Sequence, residues 1–125
     1  MIAAILESGR LERLYTGLSL LVSAAADGRP ARGLVSFGAL DPMLDPDLRA
    51  RAAACDAVED AETFARSLAE LRETARELPD CRLWACAAAV ELTGAGAEAV
   101  EARLDGVMST PRFLREVAGA DLVVV

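Results

Sequence analysis

Cys81-Arg82-Leu83-Trp84-Ala85-Cys86 runs directly into Ala87-Ala88-Ala89-Val90-Glu91-Leu92. The first six residues are largely apolar and read as a buried strand. The next six are small and apolar and read as the start of a helix. A strand that passes straight into a helix is the repeating unit of a parallel α/β sheet. Cys86 stands at the junction. A thiol there lies near unpaired helix N–H groups, which favour its thiolate. Cysteine chemistry, most simply sulfur transfer, is therefore the leading functional expectation. A small residue buried in a tight strand-to-helix turn would account for the same placement.

The pattern extends in both directions. Met1 to Leu6 is a continuous apolar run, as in a strand buried on both faces. After Glu7-Ser8-Gly9, apolar residues recur three and four apart from Leu11 to Ala25, which predicts an amphipathic helix over 10–26. Gly33 to Phe37 reads as a second strand. Asp41-Pro42-Met43-Leu44-Asp45-Pro46-Asp47 reads as a loop, with Asp45 as the N-cap of a short helix reaching about Ala54. Asp60 to Leu78 is the clearest helix, with Ala61, Phe64, Leu68, Leu71, Ala75 and Leu78 turned inward. A weak helix over 97–104, a short strand over 106–108, a helix from Thr110 to Ala118 and a last strand over 121–125 complete the chain. The sum is a single domain over residues 1–125, with about five strands in a mostly parallel sheet and helices on both faces.

Composition narrows the chemistry. The chain has 125 residues, no histidine and no lysine, and all 13 of its positive charges are arginines. Without histidine there is no Ser-His-Asp triad, no zincin motif and no His/Cys zinc site. The net charge of −7 repels phosphate backbones and argues against nucleic acid. No basic patch suggests an anionic lipid surface, and no apolar run suggests a membrane span or a signal peptide. A cytoplasmic location is expected, where three cysteines do not make a disulfide framework.

In parallel sheets the ligand sits outside the carboxyl ends of the strands. The turns expected at that edge bring Ser8, Gly9, Gly38 and Ser109 toward Cys86 as binding neighbours. Cys81 lies at the other end of the same strand, about 16 Å away at about 3.3 Å per residue, too far for a disulfide with Cys86. Cys81 and Cys55 both read as small buried apolar residues. Gly94-Ala95-Gly96-Ala97-Glu98-Ala99 fits a dinucleotide-binding pattern in letters only, because Gly94 reads as a helix C-cap rather than a post-strand turn. The Asp41, Asp45 and Asp47 cluster lacks the spacing of a calcium loop and reads as a solvated turn. No cofactor and no metal are expected.

Three segments together resemble the DsrE/DsrF-like family of sulfur metabolism. Leu6-Glu7-Ser8-Gly9 with Leu14-Tyr15-Thr16-Gly17-Leu18 is similar to its opening strand, turn and helix. Leu83-Trp84-Ala85-Cys86 with Glu91-Leu92-Thr93-Gly94 is similar to its cysteine-bearing segment. Gly106-Val107, Pro111-Arg112-Phe113-Leu114 and Ala120-Asp121-Leu122-Val123-Val124 are similar to its closing helix and strand. The middle, Ala39 to Leu78, carries no matching motif. The triple alanine after Cys86 also departs from relatives, which often carry polar residues there.

The resemblance implies a three-layer α/β/α sandwich and a homo-oligomer, a trimer or hexamer. It also implies a persulfide carried on Cys86, exchanged with sulfur donor and acceptor proteins. The alternative expectation is a non-catalytic oligomeric module of the same fold that binds a protein partner or a small ligand.

Overall fold

β1 (Ile2–Leu6), β2 (Ala31–Val35), β3 (Cys81–Cys86), β4 (Val107–Met108) and β5 (Asp121–Val124) form one sheet in the order β4-β3-β2-β1-β5. Every pairing is parallel in this computed structural model, which describes residues 1–125. Seven helices connect the strands: α1 (Leu11–Ala26), α2 (Leu40–Leu44), α3 (Arg49–Ala53), α4 (Ala61–Glu77), α5 (Ala87–Thr93), α6 (Ala97–Arg103) and α7 (Thr110–Glu116). A 3-10 turn, Phe37–Ala39, leads from β2 into α2.

Alternation along β3 separates the two helical layers. Leu83 points to the α1 side: a Cβ added to its neighbour Gly33 would lie 2.5 Å from Leu83 Cδ2 and 3.0 Å from Leu21 Cδ1 of α1. α4 lies beside α1 in the same layer, with the Tyr15 and Phe64 rings 5.7 Å apart. Trp84 points the other way, where Phe113 of α7 meets it edge-on at 6.3 Å. Successive side chains on a strand face opposite sides, so α1 and α4 form one layer and α7 the other. The α7 layer is thin, and it leaves Leu122 and Val124 of the edge strand exposed.

This arrangement fixes where the winding reverses. The steps β1 to β2, β2 to β3 and β3 to β4 all move outward in one direction. The step from β4 to β5 returns across the whole sheet, through α7 on the opposite face. Adjacent strands whose chains leave toward opposite faces open a crevice between their carboxyl ends. Here those strands are β3 and β4, where Cys86 pairs in register with Met108.

The middle of the chain differs from the sequence expectation. Asp45 does not begin a helix; it ends α2, and α3 starts only at Arg49. Pro42 is tolerated because it stands in the first turn of α2, where no backbone N–H is needed. The cause lies far away in sequence. Arg72 of α4 is buried and donates through Nη1 to the carbonyl oxygens of Pro42 and Asp45 at 2.7 Å each, and to that of Met43 at 3.3 Å. These are the carbonyls a helix C-terminus leaves unpaired. Along α4, Ala65, Leu68, Arg72 and Ala75 are the buried positions, and Ala61, Phe64, Leu71 and Leu78 are half-buried around them.

Two glycines bring the turns after β1 and β2 into direct contact. A Cβ on Gly9 would lie 2.9 Å from the Gly38 carbonyl oxygen, and one on Gly38 would lie 2.8 Å from Gly9 N. Both obstacles are backbone and cannot swing aside. Gly9→Ala and Gly38→Ala are each expected to lower stability by about 1–3 kcal/mol in denaturant unfolding. Gly96→Ala, with no atom within 4 Å of its Cβ, meets no steric obstacle and should cost about 1 kcal/mol or less, from loss of glycine at the N-cap of α6.

Candidate functional site

Cys86 is the last residue of β3 and the N-cap of α5, with extended backbone angles of φ −65° and ψ 122°. Its thiol sits at the carboxyl edge where β3 pairs with β4, the position of the winding reversal. Thr110, the first residue of α7, places Oγ1 4.0 Å from the sulfur. Ser36 stands just past the end of β2, at the same carboxyl edge of the sheet. The backbone N–H groups of Ala88 and Ala89 belong to the first turn of α5, which starts directly after the thiol.

The balance of these effects decides the protonation state. Burial opposes ionisation and is the largest single influence on the thiol. The Ala89 N–H, the Ser36 and Thr110 hydroxyls and the Ala88 N–H act together in the other direction. The sum holds the Cys86 pKa below that of an ordinary thiol. These donors are all neutral, so thiolate character here needs neither a histidine nor a cationic side chain.

The other cysteines differ. Cys81 is buried at the opposite end of β3, and burial, with the Asp105 carboxylate, pushes its thiol up to about 11. Cys55 departs from expectation. It is half-buried, and its thiol donates to Glu12 Oε2 at 3.4 Å. It lies on a cavity of about 380 Å³ with Arg10, Glu12 and Arg51.

The expected neighbours separate into two groups. Ser109 follows β4 at the carboxyl edge, as the N-cap of α7, where its hydroxyl accepts the Arg112 N–H at 3.4 Å. Ser8, Gly9 and Gly38 belong to the turns after β1 and β2. Ser8 Oγ accepts the Arg10 N–H at 3.2 Å, and the two glycines pack on each other. Asp45 and Asp47 are held by Arg51 and Arg49 at 2.6 and 2.7 Å.

Sequence reasoning did not single out Ser36 or Thr110. The available signal was positional. Ser36 ends an apolar strand with a hydroxyl, and Thr110 precedes a helix-starting proline, both at the carboxyl edge.

No helix of the protein is long and apolar enough to cross a membrane. In comparisons with known proteins, no family model matches the chain. No curated protein matches it either.

The contrast between thiols is measurable. Alkylation of Cys86 followed against pH should have its midpoint below that of a free thiol. Ser36→Ala and Thr110→Val should each move that midpoint back up toward the ordinary value. Cys81 should resist modification until strongly alkaline pH. A Cys86 midpoint at or above the free-thiol value would contradict the role assigned to the neutral donors.

Proposed function

We propose that the chain is a DsrE-like sulfur carrier or sulfurtransferase that relays a persulfide on Cys86. The supporting observation is the thiol at the winding reversal, its ionised form favoured by two hydroxyls and two backbone N–H groups. The Cys86 thiolate attacks the outer sulfur of a donor persulfide. The donor's S–S bond breaks and the donor leaves as a thiolate. Cys86 then carries the sulfur as an anionic persulfide. An acceptor thiolate attacks that outer sulfur, the Cys86 S–S bond breaks, and the Cys86 thiolate is restored. The same neutral donors serve the thiolate and, with a small shift, the persulfide anion.

In this reading the protein works in the cytoplasm, where its three free cysteines stay reduced. It works as a homo-oligomer, a trimer or hexamer. The apolar side chains left open on the thin α7 face, Leu122 and Val124, support self-association. A second reading, a non-catalytic oligomeric module that binds a protein partner or small ligand, is favoured by one observation. Cys86 is only 5% exposed, and no surface cavity is lined by it.

Intact-mass analysis after mixing with a polysulfide donor separates the two. Relay predicts one added sulfur, about 32 Da, mapped to Cys86 and absent in Cys86→Ser. No loading of the wild type, or loading that persists in Cys86→Ser, would overturn it.

Assembly is tested independently by light scattering at micromolar concentration. The expected mass is three or six times that of the chain, and it should be unchanged in Cys86→Ser. A monodisperse monomer would refute the assembly.

A further inference from the structure

The two edges of the sheet are built differently. At one end β4 has two residues and is followed at once by Ser109-Thr110-Pro111, so it offers almost no free edge. At the other end β5 has four residues and pairs with β1 alone. The Asp121 N–H donates to the Met1 carbonyl oxygen at 3.3 Å, and the Val125 N–H to that of Ile5 at 2.8 Å. Backbone groups alternate in direction along a strand, so the N–H and C=O groups of Leu122 and Val124 point away from β1. The usual protections of such an edge are missing. Ala120 to Val125 contains no proline and no lysine, the register with β1 has no bulge, and the one charge, Asp121, stands at the start of the strand.

Apolar side chains stand open on both faces of this edge. Leu122 and Val124 are 44% and 63% exposed on the α7 face. On the other face, Gly17 of α1 packs toward Val125 and Leu21 toward β2, which leaves Leu20 on the β5 side, exposed near Ile2.

Building on the self-association proposed above, we propose that β5 pairs with β5 of a second copy, antiparallel across a two-fold axis, joining two sheets into one. The strand is its own complement in one register. With Val123 on the axis, Leu122 of each copy stands opposite Val124 of the other. The outward backbone groups of both residues are then all bonded, and the two Leu–Val pairs lie together on one face. Asp121 stands opposite Val125, about 14 Å from its counterpart at about 3.4 Å per residue, beyond the screening length of about 8 Å. Sliding toward the strand start brings the two Asp121 carboxylates closer. It also sets Val124 opposite Ala120, whose N–H is already given to the Val117 carbonyl oxygen at 2.9 Å. Hydrogen bonding and charge thus name a second copy as the occupant. A two-fold axis is absent from a closed trimer and present in a hexamer built of three dimers, so this edge selects the hexamer.

Cysteine cross-linking reads the register directly. Val123 is half-buried, and across the axis its Cα lies about 4.5 Å from its counterpart, within disulfide range. Leu122 is more open, yet its counterpart lies about 8 Å away, too far to bridge. Val123→Cys and Leu122→Cys, with the native cysteines retained, are oxidised mildly and mapped by mass spectrometry of unreduced peptides. The disulfide joining two copies at position 123 should form about tenfold more readily than the one at position 122. Chance collision gives the reverse order, since it favours the more exposed thiol. Val124→Pro removes only an outward N–H and should halve the mass found by light scattering. Equal or reversed cross-linking, or an assembly mass unchanged in Val124→Pro, would overturn the edge pairing. Should Val124→Pro fail to fold, the cross-linking comparison decides alone. A wild-type trimer refutes the pairing and keeps the assembly. A wild-type dimer with the cross-link at 123 keeps the pairing and refutes the trimer or hexamer, and a wild-type monomer refutes both.

Discussion

The backbone-to-backbone contact of Gly9 with Gly38 governs the carboxyl edge of this sheet. Strands β1 and β2 are neighbours, so their following turns must share a narrow space. A side chain on either glycine would force the turns apart, because the opposing atoms belong to main chain. With both side chains absent, the first turn directs the chain into α1 and the second into the 3-10 turn at Phe37. Ser36 is held just before that turn, with its N–H tied to the Leu6 carbonyl of β1. A binding-edge residue in the sequence, Gly38, thus serves the site by placing its neighbour rather than by touching the thiol.

Three cysteines in one small domain show how far placement outweighs residue type. Cys81 and Cys86 lie on the same strand and are both nearly covered. Burial raises the pKa of both. At Cys81 the nearby Asp105 carboxylate adds to it, and the Arg32 guanidinium offsets it only in part. At Cys86 the strand runs out, and the unpaired N–H groups of the next helix and two hydroxyls reverse the outcome. The location of those hydroxyls is a matter of topology. Thr110 approaches because the chain turns back across the sheet after β4, and α7 starts beside the end of β3. Cys55 has a carboxylate as its partner, and its thiol donates to it.

The fold was legible because its periodicities are local. The apolar runs 1–6 and 81–86, the spacing in 11–26 and 61–77, and the left-handed Gly94 after α5 each follow from neighbouring residues. The middle was not legible, because a residue far along the chain organises it. Arg72 sits where helical spacing places an inward position of α4, and a guanidinium there contradicts a hydrophobic pattern until the carbonyls of α2 are known. Once they are known, Asp45 becomes the end of a helix instead of its start. Cys86 was legible as a junction residue. Ser36 and Thr110 were not, since their place at the same edge as the sulfur depends on strand order and on the direction of the last crossover.

The composition makes the electrostatics of the site unusually clean. An acidic chain with a net charge of −7 is an unfavourable host for an anionic sulfur, and long-range attraction does not hold one here. Short-range dipoles do: helix N–H groups and hydroxyls act over hydrogen-bond distances, where water is mostly excluded and their effect is strong. Because the chain has no histidine, no imidazole changes charge near neutral pH. A thiol tuned by neutral donors responds to their geometry more than to the charge of its surroundings.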